Sequence, residues 1–94
     1  MTGPFDSAYY EDIRGRMRGI LIAVSEAFPV QQVGLIDELI DANESGVALE
    51  MLVGMLVGGS VPVASGVVDQ IERLVEEMHL SAEVAEQIRA LEAT

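Results

Sequence analysis

Apolar residues recur along this chain at helical spacing and nowhere in sustained alternation, so the pattern predicts helices and no strands. The first helix is expected from about Ser7 to Phe28. Its apolar positions Ile13, Met17, Ile20, Leu21, Val24 and Phe28 gather on one stripe, and Pro29 ends it because proline cannot continue the backbone ladder. The second is expected from about Val30 to Asp41, with Val33, Ile36, Leu39 and Ile40 on one side and Asp37, Glu38 and Asp41 on the other. Asn43 reads as the N-cap of a third helix that reaches about Val57. Val47, Leu49, Met51, Leu52, Val53, Met55 and Leu56 wrap most of that helix, so it is expected to be the central, buried one. Gly58-Gly59-Ser60 breaks it. A fourth helix is expected over 66–79, with Val68, Ile71, Leu74, Val75 and Met78 inward. Ser81 caps a fifth that runs to about Glu92, with Val84, Ile88 and Leu91 inward. Short connections favour antiparallel neighbours. The expected fold class is all-α: a compact bundle of four to five short antiparallel helices, with 1–94 forming a single domain.

Charge changes this picture. The formal net charge is -11, and its distribution is uneven. Residues 1–18 balance Asp6, Glu11 and Asp12 against Arg14, Arg16 and Arg18, while beyond them only Arg73 and Arg89 oppose a long series of acids. There is no lysine. Such a surface repels nucleic acid and anionic membranes and attracts basic partners. Cysteine is absent, which removes thiolate nucleophiles and thiolate metal sites and fits a reducing compartment. The acids among the first sixteen residues do not read as a signal peptide, so a cytoplasmic location is expected. Residues 51–68 carry no charge, but Gly54, Gly58, Gly59, Pro62 and Gly66 interrupt them; they read as a helix end and a turn, with no membrane span expected.

Catalytic and ligand-binding motifs are weak. His79 is the single histidine and falls at a helix C-terminus, where the helix dipole favours a cation. Nothing in the sequence supplies the positioned partner that acid–base catalysis needs, so no enzyme activity is expected. Asp41-Ala42-Asn43-Glu44-Ser45-Gly46 is similar to the start of a calcium-binding loop, but Leu52 stands where a bidentate Glu is required. No metal and no cofactor are expected. Asp6-Ser7 lies ahead of the first helix, out of place for a phosphopantetheine carrier. Arg14 and Arg16 sit one turn from Glu11 and Asp12 and read as a self-neutralised face. Met17, Met51, Met55 and Met78 fall on apolar stripes and read chiefly as core.

The acids of the second helix are more informative. Asp37 and Asp41 are adjacent on its surface, Glu38 lies beside them and Glu44 just beyond. Like charges at that spacing, near a helix C-terminus, are locally unfavourable. A basic partner would supply a reason for them, and a solvated face is the plain alternative. Asp37, Glu38, Asp41 and Glu44 are therefore the candidate partner-binding residues. Glu50 either reaches solvent or pairs with an arginine across the core.

From Leu35-Ile36-Asp37-Glu38-Leu39-Ile40-Asp41 through Glu44 to Gly46-Val47-Ala48-Leu49-Glu50-Met51-Leu52, the chain resembles the central segment of the MafI-type immunity proteins of bacterial polymorphic and contact-dependent toxin systems. The resemblance covers about residues 33–80. It departs from the family pattern at Ser45 and at Gly58-Gly59-Ser60. It implies a protein that binds and neutralises a cognate toxin domain, with a basic, nuclease-like enzyme as the expected partner and no direct contact with nucleic acid. Reversing Asp37, Glu38 and Asp41 to Lys should then slow association. The competing expectation is a helical adaptor or homo-oligomerisation module, pairing through the fourth helix; monomer and dimer are both open.

Overall fold

The computed structural model describes residues 7–93. Five helices carry the fold: α1 (Ser7–Val24), α2 (Val30–Asp41), α3 (Ser45–Gly58), α4 (Ser65–Glu77) and α5 (Ala82–Arg89). The expected all-α class is what is found. One buried cluster joins the helices: Ile13, Met17, Ile20 and Leu21 of α1 meet Ile36 and Ile40 of α2, Leu49, Leu52 and Leu56 of α3, Ile71 and Leu74 of α4, and Ile88 of α5.

α1 stops earlier than its stripe implies. Phe28 precedes Pro29, and the residue before a proline is pushed out of the helical region. Phe28 is accordingly extended, at φ -131° and ψ 152°, and Ser25–Ala27 tighten into a single 3₁₀ turn. Ser25 Oγ donates to the Ile22 carbonyl at 3.0 Å there.

Three turns share one device. Asn43, Ser60 and His79 all have positive φ, of 61°, 49° and 56°. After α2, the Asn43 N–H donates to Ile40 O and the Glu44 N–H to Leu39 O. After α3, Ser60 and Val61 donate to Val57 and Leu56; after α4, His79 and Leu80 donate to Glu76 and Val75. Each is a Schellman motif, which uses a left-handed residue to satisfy the last carbonyls of a helix. Asn43 therefore terminates α2 and does not cap α3, correcting the expectation. Gly59, at φ -92°, leaves the left-handed position to Ser60. An L-residue there costs about 1–2 kcal/mol, while glycine loses about 0.5–1 kcal/mol of chain entropy. Ser60→Gly should therefore stabilise the protein by about 0.5–1 kcal/mol, read as a raised melting temperature. A lowered one would contradict the turn.

α3 departs from its expected burial. Ala48, Leu49, Leu52, Val53 and Leu56 are buried, but Val47, Met51 and Val57 face solvent beside Glu50, Gly54 and Gly58. A chain this short buries only about 60–65% of its unfolded surface, too little to wrap one helix all round. Glu50 accordingly reaches solvent. The stripe of α4 (Val68, Ile71, Leu74, Val75) is instead consumed by the core, so α4 has no apolar face left for pairing with itself.

The C-terminal end differs most. α5 begins as expected, with Ser81 Oγ accepting from the Glu83 N–H at 3.2 Å, but it ends at Arg89. Glu92–Ala93 (β2) then pairs in parallel with Val63–Ala64 (β1), in the register Val63 to Glu92 and Ala64 to Ala93. The buried Val63 donates its N–H to Leu91 O at 2.9 Å, satisfying a group that would otherwise be orphaned.

Candidate partner-binding surface

Burying Ile36 and Ile40 against the core turns the opposite side of α2 outward. Glu38, Asp41 and Glu44 are exposed and Asp37 is half-buried, so the structure places all four candidates along the C-terminal half of α2 and the turn that follows.

Two of them are engaged within the molecule. Arg18 of α1 donates from Nε to Asp37 Oδ1 at 3.1 Å and from a terminal nitrogen to Asp41 Oδ1. One turn earlier on α1, Arg14 donates to Asn43 Oδ1. The Asp37 and Asp41 hydrogen bonds hold the Arg18 guanidinium even more firmly protonated than usual. Both arginines approach the C-terminal end of α2, where positive charge is favoured. The Asp37–Asp41 spacing thus has a local reason that the sequence reading did not see. Glu38 and Glu44 are the two members with no ion pair among the described residues, and a single guanidinium, that of Arg18, serves the other two.

The remaining arginines are mostly spoken for as well. Arg16 reaches Asp12 at 3.2 Å, as its spacing implied, and also Glu77 of α4 at 2.5 Å. Arg89 gathers Asp69, Glu72 and Glu92, with Nε to Glu72 Oε2 at 2.9 Å. Arg14 and Arg73 have no ion pair among the described residues. Arg14, expected beside Glu11, turns to Asn43 instead.

Arg16 holds the Glu77 carboxyl below its ordinary value of 4.5 through their hydrogen bond. A carboxyl with a lowered pKa in the folded state adds stability at neutral pH, and that stability is lost as pH falls through the lowered pKa. Glu77→Gln should therefore flatten the acid limb of a stability-versus-pH curve below about pH 4.5. At 43% side-chain exposure the pair is worth less than about 1 kcal/mol. Equal acid limbs for the two proteins would show that the contact is not held in solution.

The weaker motifs are placed as follows. Asp41 is tied to Arg18, and Ser45 and Gly46 open α3, so the stretch similar to a calcium loop is not a loop. His79 is an exposed turn residue. Asp6, of the Asp6-Ser7 pair, lies outside the described residues. Met17 is core, whereas Met51 is exposed. No helix among the described residues is long and apolar enough to cross a membrane.

Sequence reasoning missed Arg18. The one local hint was the four-residue spacing of Asp37 and Asp41, which puts two carboxylates within reach of a single guanidinium without naming which one. Comparison with protein-family models, with curated proteins and with solved structures finds no match to this chain.

Proposed function

We propose that this protein acts by binding and neutralising a basic protein domain, as its resemblance to MafI-type immunity proteins implies, with the C-terminal half of α2 and the α2–α3 turn as the docking face. One observation carries the reading. Three of the five arginines, Arg16, Arg18 and Arg89, are ion-paired with carboxylates inside the molecule, so the field this -11 chain presents outward is predominantly negative. Such a field steers a cationic partner into encounter and repels competing polyanions. Glu38 and Glu44 are the carboxylates free to meet it; Asp37 and Asp41 meet it only beside Arg18. The reading assigns no catalytic step, cofactor or metal to the chain.

The test is co-expression with the C-terminal domain encoded by a neighbouring large secreted protein. Survival of the cells and co-purification of the two chains is the expected result. A toxic neighbour that this protein neither binds nor neutralises would overturn the reading. The second reading, a helical adaptor or self-associating module, is favoured by the solvent-facing Val47, Met51 and Val57 of α3. It predicts a dimer whose stability is indifferent to salt.

A further inference from the structure

An open groove of about 360 Å³ runs between the C-terminal half of α1 and the N-terminal half of α2. Leu21, Ile22, Val30 and Val33 supply its apolar lining, and the Arg18–Asp37 pair closes one end. Ile22 is 73% exposed and Val30 86%, the two highest values for large apolar residues among the described residues, and both lie on this one groove. They are out of the core because the α1 stripe of Ile13, Met17, Ile20 and Val24 faces the other way and Pro29 starts α2 just before Val30. The groove is continuous with the acidic face: Asp37 belongs to both, and Asp41 follows one turn along α2.

Resting on the proposal of a basic partner, we infer that this groove is the anchor site for one large apolar side chain of that partner, flanked there by Lys or Arg. Charge complementarity selects this occupant. An apolar slot that ends at the Arg18–Asp37 pair and opens toward Asp41 and Glu38, on a chain of net charge -11, favours a segment that combines hydrophobic and cationic residues. A second copy of this chain would bring the same -11 charge and the same carboxylates against one another. The volume lies near the lower end of the roughly 300–1,000 Å³ seen for ligand pockets, which suits one or two side chains and not a whole helix. The two parts divide the work: the acidic field sets how fast the partner arrives, and a desolvated apolar anchor sets how slowly it leaves.

The probe is a short amphipathic Lys/Leu helical peptide carrying one Trp, compared with a peptide of equal charge in which Leu and Trp are replaced by Ala. The variants are Ile22→Glu and Val30→Glu, both at solvent-exposed positions, with folding of each checked by its melting curve. Each adds a negative charge, so binding by charge alone would tighten. Anchoring in the groove predicts the opposite: at least tenfold weaker binding of the Leu/Trp peptide by either variant, with amide shifts in the parent centred on Leu21, Ile22, Val30 and Gly34. Equal or tighter binding by the variants would overturn the inference. So would a free protein that sediments as a dimer and is dissociated by Ile22→Glu, since a second copy would then be the occupant. Failure of the co-expression test with a positive peptide result would remove the toxin and leave the groove; the reverse pattern would leave the partner and remove the groove.

Discussion

Glu38→Lys combined with Glu44→Lys is expected to slow capture of the basic partner by roughly tenfold or more at low ionic strength. The pair is chosen because neither carboxylate has an ion pair within the described structure, so the change falls on the outward field. Lysines at Asp37 and Asp41 would instead stand beside Arg18, and any loss of binding would be mixed with loss of the α1–α2 contact. Glu44 precedes the first residue of α3, where a negative charge contributes about 0.3–1 kcal/mol; the melting temperature should fall only slightly. Stopped-flow association at several salt concentrations is the measurement. The parent should slow steeply as salt rises and the Debye length shrinks from about 30 Å at 0.01 M to about 8 Å at 0.15 M. The double variant should show a shallower slope. Equal rates for parent and variant at low salt would reject this face.

Leu52→Ala is expected to cost about 2–5 kcal/mol, and Met51→Ala less than about 1 kcal/mol. The two residues are neighbours on α3 and similar in size, yet Leu52 is fully buried and Met51 is 42% exposed. Removing Leu52 leaves a cavity between α3 and the rest of the core cluster. Domains are stable by only about 5–15 kcal/mol, so one such cavity removes a large share of that margin. Removing Met51 leaves solvent where solvent already was. Urea unfolding reads both, as midpoints at an unchanged slope. Similar losses at the two positions would mean that α3 is turned differently, and the second reading would lose its exposed apolar face.

The contrast at α3 shows where the sequence stops being legible. In α2 and α4 the apolar residues form a stripe with polar residues opposite, and that phase names the inward side. Ile36, Ile40, Val68, Ile71 and Leu74 are buried as expected. In α3 nearly every position is apolar, so the pattern has no phase; which side faces water is decided by the neighbours available. Helix ends divide in the same way. Pro29 and Ser81 act on adjacent residues and were readable. Asn43 could cap the next helix or terminate the last one, and the unsatisfied carbonyls of Leu39 and Ile40 decided it. The pairing of Val63 with Glu92 joins two-residue strands, too short to show a period of two.

The candidate surface was legible in the same measure. Its position on the outward side of α2 followed from periodicity alone. The bond from Arg18 to Asp37 and Asp41 spans 19 and 23 residues, and no local spacing encodes a contact of that separation. Ile22 was visible as an apolar residue off the α1 stripe, and Val30 as an apolar residue at the very start of α2. Only their convergence on one groove gives them a shared meaning.

The most direct test of the central claim is amide hydrogen exchange on the protein free and bound to its partner. Binding through α2 and the adjoining groove predicts new protection concentrated in residues 18–44, with α5 unchanged. Protection concentrated instead on the outer face of α3, around Val47 and Met51, or on α5, would contradict it.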